Sequence, residues 1–181
     1  MRLYQAPTLA AFGLVICMAH PALAQIGKTP MGTLEATIDG MPYSGETLNV
    51  ASEGTSTAEF RSFGPVTSLS IQAHDPQAQS IMHNILTIEV SLMGTDASAS
   101  VMDVSVSYWP EGMGEPFYLS EDSGTAPQID FDALSLEDGT SAAQGNFSAV
   151  ICRRDGMFAD TDTGDCRQVE GTFDTALRKA G

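Results

Sequence analysis

Gly145-Asn146-Phe147-Ser148-Ala149-Val150-Ile151-Cys152 and Cys166-Arg167-Gln168-Val169-Glu170-Gly171-Thr172-Phe173-Asp174-Thr175-Ala176-Leu177 decide the reading of this 181-residue chain. Each segment carries Gly-x-Phe and then alternates apolar with polar residues, the period-2 pattern of a half-buried strand. If Cys152 faces Cys166 across an antiparallel pair, every other pairing is fixed. Phe147 then stands opposite Gly171 and Phe173 opposite Gly145, so each ring can cover the bare backbone of a facing glycine. A long hairpin clamped by a disulfide is therefore predicted at the C-terminal end.

Strand patterns continue upstream. Leu34, Ala36 and Ile38 alternate with polar residues and run into Asp39-Gly40, a two-residue turn whose members tolerate positive φ. The return strand runs from Met41 to about Val50, with Pro42 placing its start at a sheet edge. Ala58–Phe63, Leu69–Ala73, Leu86–Leu92, Met102–Tyr108, Phe117–Leu119 and Ile129–Leu136 supply further strands. Gln25–Gly32 reads as a mobile polar leader, and His74–Asn84 as a polar connection with room for one helical turn. Nine or ten short strands without a long amphipathic helix predict an all-β antiparallel β-sandwich, with a closed β-barrel as the alternative.

The N-terminus reads as a targeting segment. Met1-Arg2 is followed by an apolar run, Leu9–Met18, too short to span a bilayer, and then by Ala22-Leu23-Ala24, which suits signal peptidase. Cleavage after Ala24 makes 1–24 a signal peptide and leaves 25–181 as a single β-sandwich domain, soluble and periplasmic or secreted. A lipid-anchored reading would use Cys17, but Ile16 stands where a small residue is required. No later apolar run is long enough for a membrane span.

The formal net charge is −15, and loss of Arg2 with the leader makes it one unit more negative. A surface this acidic disfavours nucleic acid and anionic lipid, which would approach against repulsion. Of three cysteines, Cys17 leaves with the leader, and Cys152 with Cys166 forms the pair expected of an exported protein. Two thiols with no nearby histidine do not make a zinc shell.

Three places can carry chemistry. Asp160, Asp162 and Asp165 with Gly164 share part of the pattern of calcium loops, against the alternative of a solvated acidic hairpin tip. His74, Met82 and His83 are copper-type donors, and equally ordinary strand-end and gap-filling residues. Trp109, Phe117 and Tyr118, with Glu111 and Glu115, form either an aromatic platform for a glycan or partner protein or a cap on the end of the fold. No nucleophile elbow, zinc-protease helix or phosphate loop occurs.

Leu34–Tyr43, with its Asp39-Gly40 turn, and the C-terminal Gly-x-Phe strands resemble a loose group of uncharacterised secreted or lipid-anchored bacterial β-sandwich proteins. That resemblance covers the two ends of the chain, implies a bacterial envelope setting and carries over no functional residue. The expectation is an exported, non-enzymatic binding or structural module without a cofactor. The alternatives are a carboxylate-based hydrolase and a weak calcium-binding surface domain. The edge Met41–Val50 can pair with another copy, but nothing in the pattern requires one.

Overall fold

In a computed structural model that describes residues 27–112 and 116–181, the chain is all-β, with no helix among those residues. The signal segment 1–24, the start at Gln25 and Glu115 lie outside the described residues. The strands are β1 (Lys28–Ile38), β2 (Met41–Val50), β3 (Thr55–Ser56), β4 (Ala58–Phe63), β5 (Val66–His74), β6 (Ile85–Met93), β7 (Ser100–Trp109), β8 (Phe117–Leu119), β9 (Gln128–Ser135), β10 (Ala142–Arg154), β11 (Asp162–Ala176) and β12 (Arg178–Lys179). The count exceeds nine or ten because β3 and β12 are two-residue strands that no periodicity can announce.

The C-terminal hairpin has the register read from its residues. Cys152 faces Cys166, Phe147 faces Gly171 and Gly145 faces Phe173, and the cysteines are joined as a disulfide. The glycines are required by close approach. A Cβ on Gly171 would lie 2.4 Å from the Glu35 carbonyl oxygen, and one on Gly145 would lie 2.2 Å from that of Asp130. Both contacts are to backbone, which cannot swing away, so a larger residue would force the neighbouring strands apart.

At the other end of the chain, β1 begins earlier than the alternation suggests. Lys28, Thr29 and Pro30 pair with Val50, Asn49 and Leu48, and the register shifts between Pro30 and Gly32. The expected mobile leader is thus corrected over Lys28–Gly32. Strand β2 is ten residues long and its far end needs hydrogen-bond partners, while the irregularity in β1 accommodates a proline that cannot donate. Asp39-Gly40 forms the two-residue turn, with φ +54° and +77°.

Alternating residues of nearly every strand meet in one apolar cluster. Ile88 lies between Ile71 and Val106, Val90 between Leu69 and Val104, and Leu86 between Ala73 and Tyr108. Full burial of each such side chain stabilises the fold by about 1.5–3 kcal/mol before entropy is charged against it.

Hydrogen-bonded neighbours follow the path β4–β5–β6–β7–β8–β10–β11–β1–β2, and β2 returns to β5 where Glu46 faces His74. Thr57 tightens this return. Its N–H donates to the Leu48 carbonyl at 2.8 Å, and its carbonyl accepts from the Gln72 N–H at 2.7 Å. Its hydroxyl also accepts from the Leu48 N–H at 2.8 Å.

One gap interrupts the circuit. Strands β8 and β9 both pair with the same side of β10, one at Cys152–Arg154 and the other at Ala142–Ser148. Strand β8 also reaches β7, at Ser107 and Tyr108. Below that, no ladder joins β7 to β9 among the described residues. Only the Asp96–Ser135 bridge and the bond from the Leu136 N–H to the Thr95 carbonyl tie the far end. Residues 120–127, which connect β8 to β9, lie against the outer face of β7 and β8.

Candidate functional site

Between the outer face of β7 and β8 and the 120–127 connection lies a groove of about 700 Å³, within the range of small-ligand sites. Its residues follow from the pleat. On β7, Val106 and Tyr108 turn toward the core while Ser105, Ser107 and Trp109 turn outward, and the outward set lines the groove. On β8 the same alternation sends Phe117 outward and Tyr118 inward. Tyr108 pairs with Tyr118, so Trp109 lies beside Phe117 on the outer face.

Trp109 and Phe117 stack, with ring centroids 4.3 Å apart and planes 21° from parallel. Phe117 is buried and Trp109 half-buried, so one ring supports the other at the groove wall. The indole N–H donates to the Ser107 hydroxyl at 3.0 Å, which fixes the indole's orientation. Trp109 and Phe117, two of the residues grouped as platform or cap, are therefore brought together on the groove wall. Tyr118 is on the opposite face, and Glu111 does not line the groove. Period-2 alternation separates adjacent Phe117 and Tyr118, so grouping them by proximity in sequence joined two different surfaces.

The polar rim comes from residues that no motif singled out. Glu89 on β6 and Asp103 on β7 sit on one outer face, as diagonal neighbours across the pair in which Glu89 faces Ser105 and Ser91 faces Asp103. Glu121 and Asp122 lie on the overhanging loop. Arg154 reaches from β10, with its Nη2 at 2.9 Å from Asp122 and 3.4 Å from Glu121, and its Nε donates to the Thr161 hydroxyl at 2.9 Å. One guanidinium thus holds the loop to the hairpin tip while its charge is met by two carboxylates. The remaining rim charge is negative, from Glu89 and Asp103. Ser105, Ser107, Ser120 and Thr125 add hydroxyls, and Met157 adds an apolar lip.

The calcium-type residues do not converge. Asp162 accepts from the Gly164 N–H at 2.9 Å, Asp165 lies 3.6 Å from Arg153, and Asp160 is exposed. No group of three or more His, Cys, Asp or Glu side chains is placed to hold a metal ion among the described residues. The copper-type residues fare similarly. His74 is buried, its Nδ1 engaged with the Ile81 carbonyl at 2.7 Å, and its Nε2 meets no partner among the described residues. Burial holds its imidazole below the ordinary pKa, with Lys28 adding to the effect and the Ile81 bond opposing it. Met82 is exposed on the same connection, which forms turns and bends in place of the helical turn allowed for.

The chain matches no protein-family description, no curated protein and no solved structure.

Proposed function

We propose that this protein is a non-enzymatic binding module that takes a neutral or amino-bearing glycan in the groove between the β7–β8 face and the 120–127 connection. The observation that carries the reading is the Trp109–Phe117 stack set among hydroxyls and carboxylates in an open groove. A sugar ring presents an apolar face of C–H groups to an aromatic plane and hydroxyls around its edge. The aromatic stack suits the first, and the serines, Thr125, Glu89 and Asp103 suit the second. The sign of the rim selects among glycans. Arg154 is already met by Glu121 and Asp122, so an anionic polysaccharide would face uncompensated carboxylates.

The disulfide supports an oxidising compartment, and the leader supports export, so the periplasm or the exterior is the setting that fits. No helix among the described residues is long and apolar enough to cross a membrane. The circuit closed through Glu46–His74 and Thr57 favours a flattened barrel over a sandwich of two separate sheets.

A hydrolase remains the second reading because Glu89 and Asp103 share one face. Their strand positions, as cross-strand diagonal neighbours, stand about 7–8 Å apart, and a pair of carboxylates on one face is what acid/base hydrolysis of a glycosidic bond uses. Both are exposed, however, whereas a general acid is commonly sheltered in an apolar pocket that holds its proton. Calorimetric titration with cellotriose, chitotriose and trigalacturonate separates the readings. The binding account expects heat from the first two, little from the third, and intact oligosaccharide afterwards. Released shorter sugars that disappear with Glu89→Gln would establish the hydrolase. No heat from any of the three would remove the glycan reading.

A further inference from the structure

A second cavity, of about 500 Å³, opens at the end of the fold that carries the Asp39-Gly40 turn. Its walls are inward-facing residues from four elements: Ile38 at the end of β1, Tyr43 on β2, Tyr108 on β7 and Arg167 on β11. Met41 and Pro42 form an apolar lip, while Asp39 and Asp165 stand at the rim. This is the mouth of the strand circuit, separate from the groove on its outer face.

The hydroxyls here are engaged with the protein. Tyr43 Oη donates to the Ala73 carbonyl at 2.8 Å and accepts from the Leu86 N–H at 3.2 Å. Tyr108 Oη donates to Asn84 Oδ1 at 2.6 Å, and Asn84 Nδ2 donates to Asp75 at 2.6 Å. These bonds hold the aromatic walls in place, and Tyr43 and Tyr108 pack edge to face with centroids 6.3 Å apart.

Arg167 differs. Its guanidinium lies over the Tyr118 ring at 4.0 Å and makes one hydrogen bond, from Nη2 to Tyr118 Oη at 2.6 Å. Although 23 residues of the chain are acidic, no carboxylate comes within salt-bridge distance of it among the described residues. Asp165, two positions away, lies instead against Arg153. Among the described residues most of the five donors of this planar cation meet no protein acceptor, and the side chain sits in a cavity wall.

The charges around the cavity choose the ligand. A simple carboxylate would meet Arg167 but be opposed by Asp39 and Asp165. A simple amine would meet the aspartates but be opposed by Arg167. A molecule carrying both groups on one carbon satisfies both ends, and an apolar or aromatic side chain would lie against Tyr43, Tyr108 and Met41. We propose that the mouth binds a free α-amino acid with an apolar or aromatic side chain, its carboxylate on Arg167 and its ammonium at Asp39. This goes beyond the glycan reading, since it uses a different cavity and different residues.

Calorimetric titration of the protein with L-phenylalanine tests it, alongside 3-phenylpropionate, which lacks the ammonium, and L-phenylalaninamide, which lacks the carboxylate. L-Phenylalanine is expected to bind, and each analogue to bind at least tenfold more weakly. Arg167→Met keeps an unbranched side chain but removes the guanidinium that lies over Tyr118, and should abolish binding of L-phenylalanine while leaving glycan binding in the groove unchanged. Should that variant fold poorly, Asp39→Asn alters an exposed turn residue and should weaken L-phenylalanine several-fold without affecting 3-phenylpropionate in the same direction. No binding of L-phenylalanine at millimolar concentration, or binding of either analogue as tight as that of L-phenylalanine, would overturn the proposal.

Discussion

Truncating Phe173 to Ala removes a ring that is 2 % exposed and that touches the fold on two sides. One side covers Gly145, where an added Cβ would come within 2.9 Å of the ring's Cζ. The other meets Phe131 edge to face, with centroids 5.8 Å apart. The substitution leaves a cavity that the paired strands β10 and β11 cannot close without breaking their ladder, so the full penalty for a buried phenylalanine applies, about 3–5 kcal/mol. For a domain of this size each kcal/mol moves the melting temperature by about 2–4 °C, so a central value of about 4 kcal/mol corresponds to a fall of about 8–16 °C. Urea unfolding followed by circular dichroism measures the change directly, provided the slope with denaturant is the same in both proteins. Phe158→Ala is the internal control, because that ring is fully exposed at the hairpin tip and should shift stability by no more than about 0.5 kcal/mol. A loss below about 1 kcal/mol at Phe173, or equal losses at the two sites, would refute the register and the packing derived from it.

Reducing the Cys152–Cys166 disulfide, which spans 14 positions, should cost about 3 kcal/mol by the chain-entropy relation and leave the far-UV spectrum native at 25 °C. Loss of the native spectrum at that temperature would contradict this. Gly171→Ala drives a Cβ to 2.4 Å from the Glu35 carbonyl oxygen and should cost about 1–3 kcal/mol, whereas Gly27→Ala, open on all sides, should melt with the parent. His74 gives the protein a pH dependence. Burial lowers its pKa in the folded state, while the unfolded chain takes up the proton near its ordinary pKa of about 6.5. Its contribution to stability is therefore whole above that value and is lost as pH falls through the folded pKa. The melting temperature of His74→Gln should accordingly fall less steeply than that of the parent below pH 6.5; parallel slopes would contradict the assignment.

The hairpin was legible because three separate features, Cys152–Cys166, Phe147–Gly171 and Gly145–Phe173, demanded one register. The two-residue turn at Asp39-Gly40 and the strand Ala58–Phe63 were legible from turn chemistry and breakers on either side. Strand β3 and the pairing of Glu46 with His74 were not, because a two-residue ladder has no period and its partner lies far along the chain. Lys28–Pro30 carries no strand signal of its own, because a proline and polar residues mark loops as readily as irregular edge strands. The site was half legible. Trp109 and Phe117 stand out as aromatic residues flanking a Gly/Pro-rich connection. Glu89 and Asp103 meet through the β6–β7 pairing, but Arg154 comes from β10, far along the chain, and only the tertiary fold brings it to the same groove. Strict use of the pleat would have assigned Tyr118 to the mouth that Arg167 shares.

Trp109 is the single tryptophan of the chain, so its emission reports the groove with no competing indole. Titration with chitotriose, following that emission, tests the central assignment most directly. Stacking of a sugar on the indole predicts a saturable blue shift and intensity change, with a midpoint equal to the calorimetric Kd and lost in Phe117→Ala, where the supporting ring is gone. Emission that stays constant while calorimetry registers chitotriose binding would place the ligand elsewhere and contradict the account.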